Sequence, residues 1–495
     1  MFQVNARTVL ELGSELISSD IIAFYELVKN ALDAGSKSVN IHFSFVIDSS
    51  TFYTLKKNIK DSDRDLNELK AICEDSLNIG CPKEILDQAR TLVKSASKAS
   101  TLVEALYEIW NLNRIVIQDT GSGMSKADLL RNYLVIGTES RKSEVEDAVS
   151  QRKDKSPFMG EKGIGRLSAM RLGDQLKVIT ATKKNRFLNL LEIDWREFEV
   201  PGRKLDDIPL EIKRRGRKQT PEWQGTEIQI SSLSGIWSSN RVTEMAQYDF
   251  ARLSNPFINT RSRAKIKLFW NDERISIPWM PKELLNIAHA EVSGSYRVID
   301  GKPMLSSSVV IRDLGFEHPE VNEELQYDNF DLVSSIVGKQ LYVPEESLLE
   351  VGDFEFHIYW FNRRLLTRIE GIGKLPEVKS EVKKWSGILL YRDDFRVFPY
   401  GDDDDDWLGL DRRALGSSGY ALNKAQFIGN VRIRRTGNPL LVDQTNREGL
   451  RENSASTAFT RILEFVVQGI LRGQIDRVTK QYKAPKELYL KASIR

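Results

Sequence analysis

A chain of 495 residues is longer than one ordinary hydrophobic core can organise, so two or three domains are expected. Its 72 Lys and Arg nearly balance 70 Asp and Glu; the net charge of +2 excludes a whole-molecule field directed at nucleic acid or a membrane. Two cysteines, Cys73 and Cys81, exclude a disulfide framework and fit a reducing compartment, and four scattered histidines offer no zinc-binding spacing with them. No run reaches the roughly 18 apolar residues that span a bilayer, and no charged-then-apolar leader follows Met1. A cytoplasmic setting without membrane contact is the expectation.

Taken in order, the chain first shows a helix from Ser19 or Asp20, good N-caps, to Gly35, a good terminator. Ile21, Ile22, Ala23, Phe24, Leu27, Val28, Ala31 and Leu32 make most of its surface apolar. Glu26, Asn30 and Asp33, four and seven apart, share one narrow polar stripe that faces either solvent or a ligand. Residues 38–47 alternate as a strand does. Residues 56–111 carry helical spacing around Leu66, Leu69, Ile72 and Leu77, and again around Leu102, Leu106 and Ile109, which reads as a helical insertion. A strand at 114–118 then runs into Asp119-Thr120-Gly121-Ser122-Gly123-Met124, and a helix capped by Ser125 follows to about Leu134. The polar stretch 137–157 has the composition of a lid. It ends in Gly160-Glu161-Lys162-Gly163-Ile164-Gly165-Arg166, opening a short helix at 167–172. Strands are expected at 175–182, 187–193 and 227–231, with a basic loop, Lys213–Lys218, before Gly225-Thr226. Beyond about residue 235 the pattern becomes strand-rich α+β, with a helix at 240–257, strands at 264–277, 309–314, 354–361, 387–397 and 427–434, and a closing amphipathic helix from about 456. Asp402–Asp406 is a run of five aspartates, whose ordinary role is a solvated loop.

The glycines of Gly160-x-x-Gly163-x-Gly165 stand before a helix, where free backbone N–H groups and the helix dipole cradle phosphate. Their spacing is the reverse of the dinucleotide fingerprint, and no Walker sequence occurs. An aspartate at a strand end, such as Asp119, can accept from an exocyclic amine while Gly121 and Gly123 let a flat ring lie against backbone. Carboxylate and amide oxygens on one helix stripe suit a hard cation bound to phosphate.

In their order and spacing these four elements resemble the GHKL ATPase superfamily: gyrase-type topoisomerases, ninety-kilodalton heat-shock chaperones, histidine kinases, MutL and MORC proteins. The first box is Glu26-Leu-Val-Lys-Asn30-Ala-Leu-Asp33-Ala-Gly, the second Asp119-x-Gly121-x-Gly123-Met124, the third Gly160-x-x-Gly163-x-Gly165 and the fourth Gly225-Thr226. The resemblance implies an α+β chain whose N-terminal α/β sandwich, a mixed sheet covered by helices, binds ATP over residues 1–235, with an insertion at 56–111 and a lid at 137–165. A transducer-like α+β domain over 236–455 and a C-terminal helix and tail over 456–495 would follow. It implies that Asn30 holds Mg²⁺ against the phosphates. Asp119 would read the adenine amine with Thr226 in support, and Gly121, Gly123 and Met124 would line the base pocket. Gly160, Lys162, Gly163, Ile164, Gly165 and Arg166 would wrap the phosphates, with Thr138 and Lys142 as a second lid contact. Glu26 would be the general base, and Asp33 an anchor of the box. Asp443-Gln-Thr-Asn-Arg447-Glu-Gly-Leu resembles the arginine-bearing loop of the heat-shock chaperones' middle domain, which makes Arg447, with Arg363 as rival, the arginine that would reach the γ-phosphate.

A histidine kinase would need a phospho-accepting histidine ahead of the first box, and none precedes His42. Gyrase-type strand passage needs more chain than this. The expectation is an ATPase acting as an ATP-gated homodimeric clamp joined through its N-terminal domains. The family branch and the basic loop point to DNA as one thing it acts on; bacterial anti-phage defence beside an effector such as a nuclease is another setting of such proteins. The alternative is a nucleotide-dependent, chaperone-like binding module with little hydrolysis, for which the insertion and the aspartate run would be docking surfaces.

Overall fold

The computed structural model describes residues 4–61, 64–135, 147, 167–258, 265–337, 344–416, 422–444, 446 and 448–492. It divides into two compact units. Among the described residues the first runs to Ala251 and takes in 265–278; the second begins at Arg252 and takes in Trp279 onward.

The first unit is built on a sheet of eight described strands. They are β1 (Ser38–Ser44), β2 (Arg114–Asp119), β3 (Gly173–Ala181), β4 (Phe187–Asp194), β5 (Ile212–Arg217), β6 (Gly225–Leu233), β7 (Lys265–Trp270) and β8 (Glu273–Ile275). Their order is β5-β4-β3-β6-β2-β1-β7-β8. Every pairing is antiparallel except β1 with β7, so the sheet is mixed. Helix α1 (Arg7–Leu16) and helix α2 (Asp20–Asp33) pack with the short helix Ser168–Leu172. Phe24 anchors α2, its ring 5.7 Å from Phe43, 6.2 Å from Trp237 and 5.7 Å from Phe250. Four buried aromatics meeting in one place fix the rotation of α2 about its axis.

Between β1 and β2, which are neighbours in the sheet, the chain makes an excursion through α3 (Ser49–Asp61), α4 (Leu66–Asp75), α5 (Lys83–Ser95) and α6 (Ala99–Leu112). These helices bury their own core, including Phe52, Leu69, Leu86, Val93, Leu102 and Ile109. Cys73 and Cys81 are free, buried thiols in that core, and burial pushes both up to about 11. The neck of the excursion is closed by one amide: Val46 N–H donates to Asn113 Oδ1 at 2.9 Å, and Asn113 Nδ2 donates to the Ile47 carbonyl at 2.8 Å.

The second unit holds β9 (Ala290–Ile299), β10 (Lys302–Ile311), β11 (Val321–Tyr327), β12 (Phe354–Trp360), β13 (Gly387–Arg392), β14 (Phe395–Arg396) and β15 (Phe427–Ile433), in the order β11-β10-β9-β12-β15-β13-β14. Only β13 and β15 run parallel among these pairs. Helix Ser454–Glu464 continues through a π-helical stretch, Phe465–Leu471, into Arg472–Ala492. Phe459, Ile462, Val466 and Ile470 from that rod share a core with Tyr296, Phe354 and Trp360 of the sheet.

The structure differs from the sequence expectation in four places. The strand at 265–270 belongs to the first sheet, where β7 lies beside β1 with Val39 opposite Ile266 and Ile41 opposite Leu268, so a boundary near 235 is too early. The helix from 454 supplies the second unit's core and is not a separate appendage. Lys213–Lys218, expected as a loop, is mostly strand: β5 is an edge, with Ile212 its one buried residue, so it lacks the alternation that marks a half-buried strand. The helix expected at 125–134 is also less regular than read, one α-turn at Lys126–Asp128 widening into a π-turn at Leu129–Tyr133.

Candidate functional site

Helix α2 begins where Ser19 Oγ accepts from Ile22 N–H at 3.3 Å, and it ends at Gly35, whose φ of +79° only glycine adopts without strain. Glu26 is buried and Asn30, one turn on, is half-buried. The stripe therefore does not face open solvent over its first turn.

The end of α2 is locked to the segment after β2. Ser122 N–H donates to the Ala34 carbonyl at 2.8 Å, and Thr120 N–H to Ser36 Oγ at 2.9 Å. Gly121 sits so close to Ala34 that a side-chain carbon would stand 2.7 Å from Ala34 Cβ and 2.8 Å from its carbonyl oxygen. The first and second boxes are thus one rigid piece.

Sheet register brings in the rest. Thr180 of β3 lies opposite Thr226 of β6, and Gln118 of β2 opposite Glu227, so the next pair along places Asp119 beside Thr226. Asp119, Thr226 and Thr180 form a row across three adjacent strands, on the face reached by alternation. The Thr180 and Thr226 hydroxyls are 3.0 Å apart. Thr180 Oγ1 also accepts from Met124 N–H at 2.9 Å and lies 2.9 Å from the Gly225 carbonyl oxygen, to which it can donate. Asn189 Nδ2 of β4 holds the Met124 carbonyl at 3.1 Å, so the Gly123–Met124 backbone is gripped on both sides. Gly123, at φ +65°, leaves no room for a side-chain carbon, which would meet the Ala181 carbonyl oxygen at 2.0 Å.

Asp119 Oδ1 accepts from Gly121 N–H at 2.7 Å, and the carboxylate also takes the Thr226 backbone N–H. Burial nonetheless pushes it up to about 6, because those two bonds only partly offset the loss of water. At neutral pH it is an ionised acceptor in a largely dry place, suited to an N–H donor on a flat ring. Among the described residues no three His, Cys, Asp or Glu side chains converge as a metal site. A cation here would draw on Asn30 and on oxygens of a phosphate ligand, which is how Mg²⁺ is ordinarily held.

Of the expected site residues, the structure brings together Asp119, Gly121, Gly123, Met124 and Thr226, and ties their loop to the end of the helix that bears Glu26 and Asn30. Thr138, Lys142, Gly160, Lys162, Gly163, Ile164, Gly165, Arg166 and Arg447 lie outside the described residues. Arg363 is exposed and donates to the Ala425 carbonyl at 3.0 Å. The aspartate run is largely used within its own unit. Asp402 pairs with buried Arg396, Asp405 takes Gly401 N–H at 2.8 Å, and Asp406 accepts Leu410 N–H at 2.7 Å and Arg412 N–H at 3.0 Å, capping helix Leu410–Gly416. Thr180 and Asn189 were missed from sequence; the one signal is a threonine standing alone in the apolar run Val178-Ile179-Thr180-Ala181, fully buried in the fold.

Two comparisons bear on this geometry. A sequence model of the family described as histidine kinase-, DNA gyrase B- and HSP90-like ATPase matches residues 94–214, a stretch that takes in Asp119 through Met124. The chaperone protein HtpG of Pasteurella multocida (strain Pm70) is 24% identical over 288 residues, 57% of this chain and 44% of that protein. Residues 94–214 thus carry a GHKL-type ATPase domain. The GHKL match begins within the helical excursion, after α2, so Glu26 and Asn30 stand before it and Thr226 after it. The four helices between β1 and β2 explain the split, since they push the first box more than eighty residues from the second. The chain spans less than half the length of the chaperone it matches.

Proposed function

We propose that this GHKL protein binds ATP with Mg²⁺ at the α2–Asp119 site, hydrolyses it, and uses the cycle to open and close a homodimer. One observation supports this reading above the others: the row Asp119–Thr226–Thr180 is fastened through Gly121 and Ser122 to the end of the helix that carries Glu26 and Asn30. In it, Asp119 and Thr226 take the adenine edge and Asn30 holds the metal. The metal's contribution is to neutralise phosphate charge and orient the terminal phosphoryl group. Glu26, one helical turn before Asn30, takes the proton of the attacking water as general base.

The second unit is the natural lever of such a cycle. Its loop at 443–450 is stapled at the base by the Asp443–Leu450 bridge, by the Gln444 N–H bond to the Gly449 carbonyl at 2.8 Å, and by the Arg392–Asp443 ion pair at 2.8 Å, both partners nearly fully buried. Arg447, which lies outside the described residues, is in this reading the arginine that reaches the γ-phosphate. The test is sedimentation of the full chain with and without a non-hydrolysable ATP analogue. Nucleotide-dependent dimerisation that is lost in Arg447→Ala supports the clamp; a monomer under every nucleotide condition contradicts it.

A further inference from the structure

Among the described residues β5 forms the outer edge of the first sheet and pairs only with β4. Residues 213–217 along it are exposed, and four of the five are cationic. Lys213 is drawn toward Glu192 at 3.7 Å, a carboxylate already held by Lys177 at 3.0 Å. Arg214, Arg215 and Arg217 have no ion-pair partner among the described residues, and the Arg214 guanidinium lies over the Phe187 ring at 5.3 Å. The β3–β4 turn adds exposed Lys183, Lys184 and Arg186 to the same edge. Lys218 seals that turn to β5: its Nζ donates to the Thr182, Lys183 and Trp223 carbonyls at 3.3, 3.2 and 2.8 Å, and its N–H to the Arg186 carbonyl at 3.4 Å.

Six exposed cations without an ion-pair partner among the described residues therefore gather here: Arg214, Arg215 and Arg217 along β5, itself about 20 Å long at roughly 3.3 Å per strand residue, and Lys183, Lys184 and Arg186 on the adjoining turn. Like charges gathered this way repel one another, and here they are not relieved internally. A charged edge also discourages strand-to-strand aggregation, but one or two lysines suffice for that, and four of these six side chains are arginines. Arginine's planar fork matches phosphate oxygens two at a time.

We infer that this edge is a sequence-independent docking surface for the phosphate backbone of duplex DNA. B-form DNA presents about one phosphate per 3.4 Å of axis on each strand, so a 20 Å row meets about six. β5 carries no aromatic side chain, and the Phe187 ring beside it lies under the Arg214 guanidinium, which disfavours stacking of single strands. β5 has no hydroxyl or amide side chain, the turn's Asn185 Oδ1 is already taken by Thr182 N–H and Oγ1 at 2.9 and 2.7 Å, and β5 has no exposed apolar anchor to enter a bilayer. The inference does not depend on the nucleotide site and is tested without ATP.

The experiment is fluorescence anisotropy of a labelled 20-base-pair duplex with the full chain, from about 50 to 200 mM salt. Six phosphate contacts at about 0.9 each give a log–log slope near −5, so affinity falls on the order of a thousandfold across that range. Arg214→Gln/Arg215→Gln/Arg217→Gln should flatten the slope by about 3, with the thermal transition of the wild type retained. Lys37→Gln/Lys57→Gln/Lys60→Gln, a charge-matched change of exposed lysines elsewhere, should leave it unaltered. No binding at the lowest salt, an unchanged slope in the arginine variant, or equal loss in the lysine control overturns the inference. So does tighter binding to single-stranded DNA, duplex RNA or phosphatidylserine vesicles at matched salt. Self-association of the arginine variant with no duplex binding by the wild type would assign the charges to edge protection instead.

Discussion

Thr180 and Thr226 face each other across β3 and β6 with hydroxyl oxygens 3.0 Å apart, and through Thr180 three segments distant in sequence are held at one point. The Thr180 hydroxyl meets Met124 N–H and the Gly225 carbonyl as well, each at 2.9 Å. Only a small side chain that both donates and accepts can do this inside a sheet.

Thr180→Val keeps shape and removes the hydroxyl, leaving Met124 N–H buried without its acceptor. A cost of about 1–3 kcal/mol in unfolding free energy is expected, with a tenfold or greater loss of adenine-nucleotide affinity by calorimetry. Thr180→Ser should restore both. Recovery of stability without recovery of affinity would separate Thr180 from the nucleotide site.

If Asp119 takes the adenine edge as proposed, base recognition depends on pH. Its carboxyl is raised by burial to about 6, so the ionised acceptor is lost as pH falls through that value. Adenosine, which has no phosphate to titrate in the same range, should bind about tenfold more weakly for each unit below about pH 6.

The stability consequence of Asp119 has the opposite sign. Between its unfolded value near 4 and its folded value near 6, the folded chain binds a proton that the unfolded chain does not, so this group's contribution to stability grows as pH falls from neutral toward 4. Asp119→Asn should therefore melt no lower than wild type at pH 7.5 while failing to bind adenosine, and its advantage should shrink as pH is lowered to 5. A clear loss of stability at pH 7.5 would show that the buried charge is not the burden its environment implies.

Asn113 governs the excursion. Asn113→Ala removes both bonds that close its neck and leaves the Val46 N–H and Ile47 carbonyl unsatisfied in a fully buried place. A loss of about 2–4 kcal/mol is expected in denaturant unfolding, larger than for alanine at exposed Asn67 of α4.

What could be read beforehand divides along physical lines. The helix with Glu26 and Asn30, the Asp119–Met124 turn and Gly225-Thr226 carry local signals: a polar stripe at helical spacing, glycines at positions that tolerate no side chain, and a strand end. Thr180 and Asn189 carry none, because their roles come from register across β3, β4 and β6, which no window of sequence contains. That β7 joins the first sheet is illegible for the same reason: its partner β1 lies more than two hundred residues earlier, and pairing over that distance leaves no local mark. β5 was read as a loop because an edge strand exposed on both faces has no alternation to detect. The aspartate run failed differently. Its composition suggested solvent, yet Asp406 caps a helix and Asp402 meets a buried arginine, tasks set by the fold around them.

Hydrolysis at α2 is the central proposal, and Glu26→Ala tests it most directly. Calorimetric ATP binding and steady-state phosphate release should be measured on wild type and variant together. The expected result is ATP affinity within a few-fold of wild type and turnover reduced by about 10²–10⁴. Turnover at the wild-type rate with intact binding would contradict the assignment of Glu26 and, with it, the reading of this helix as the seat of hydrolysis.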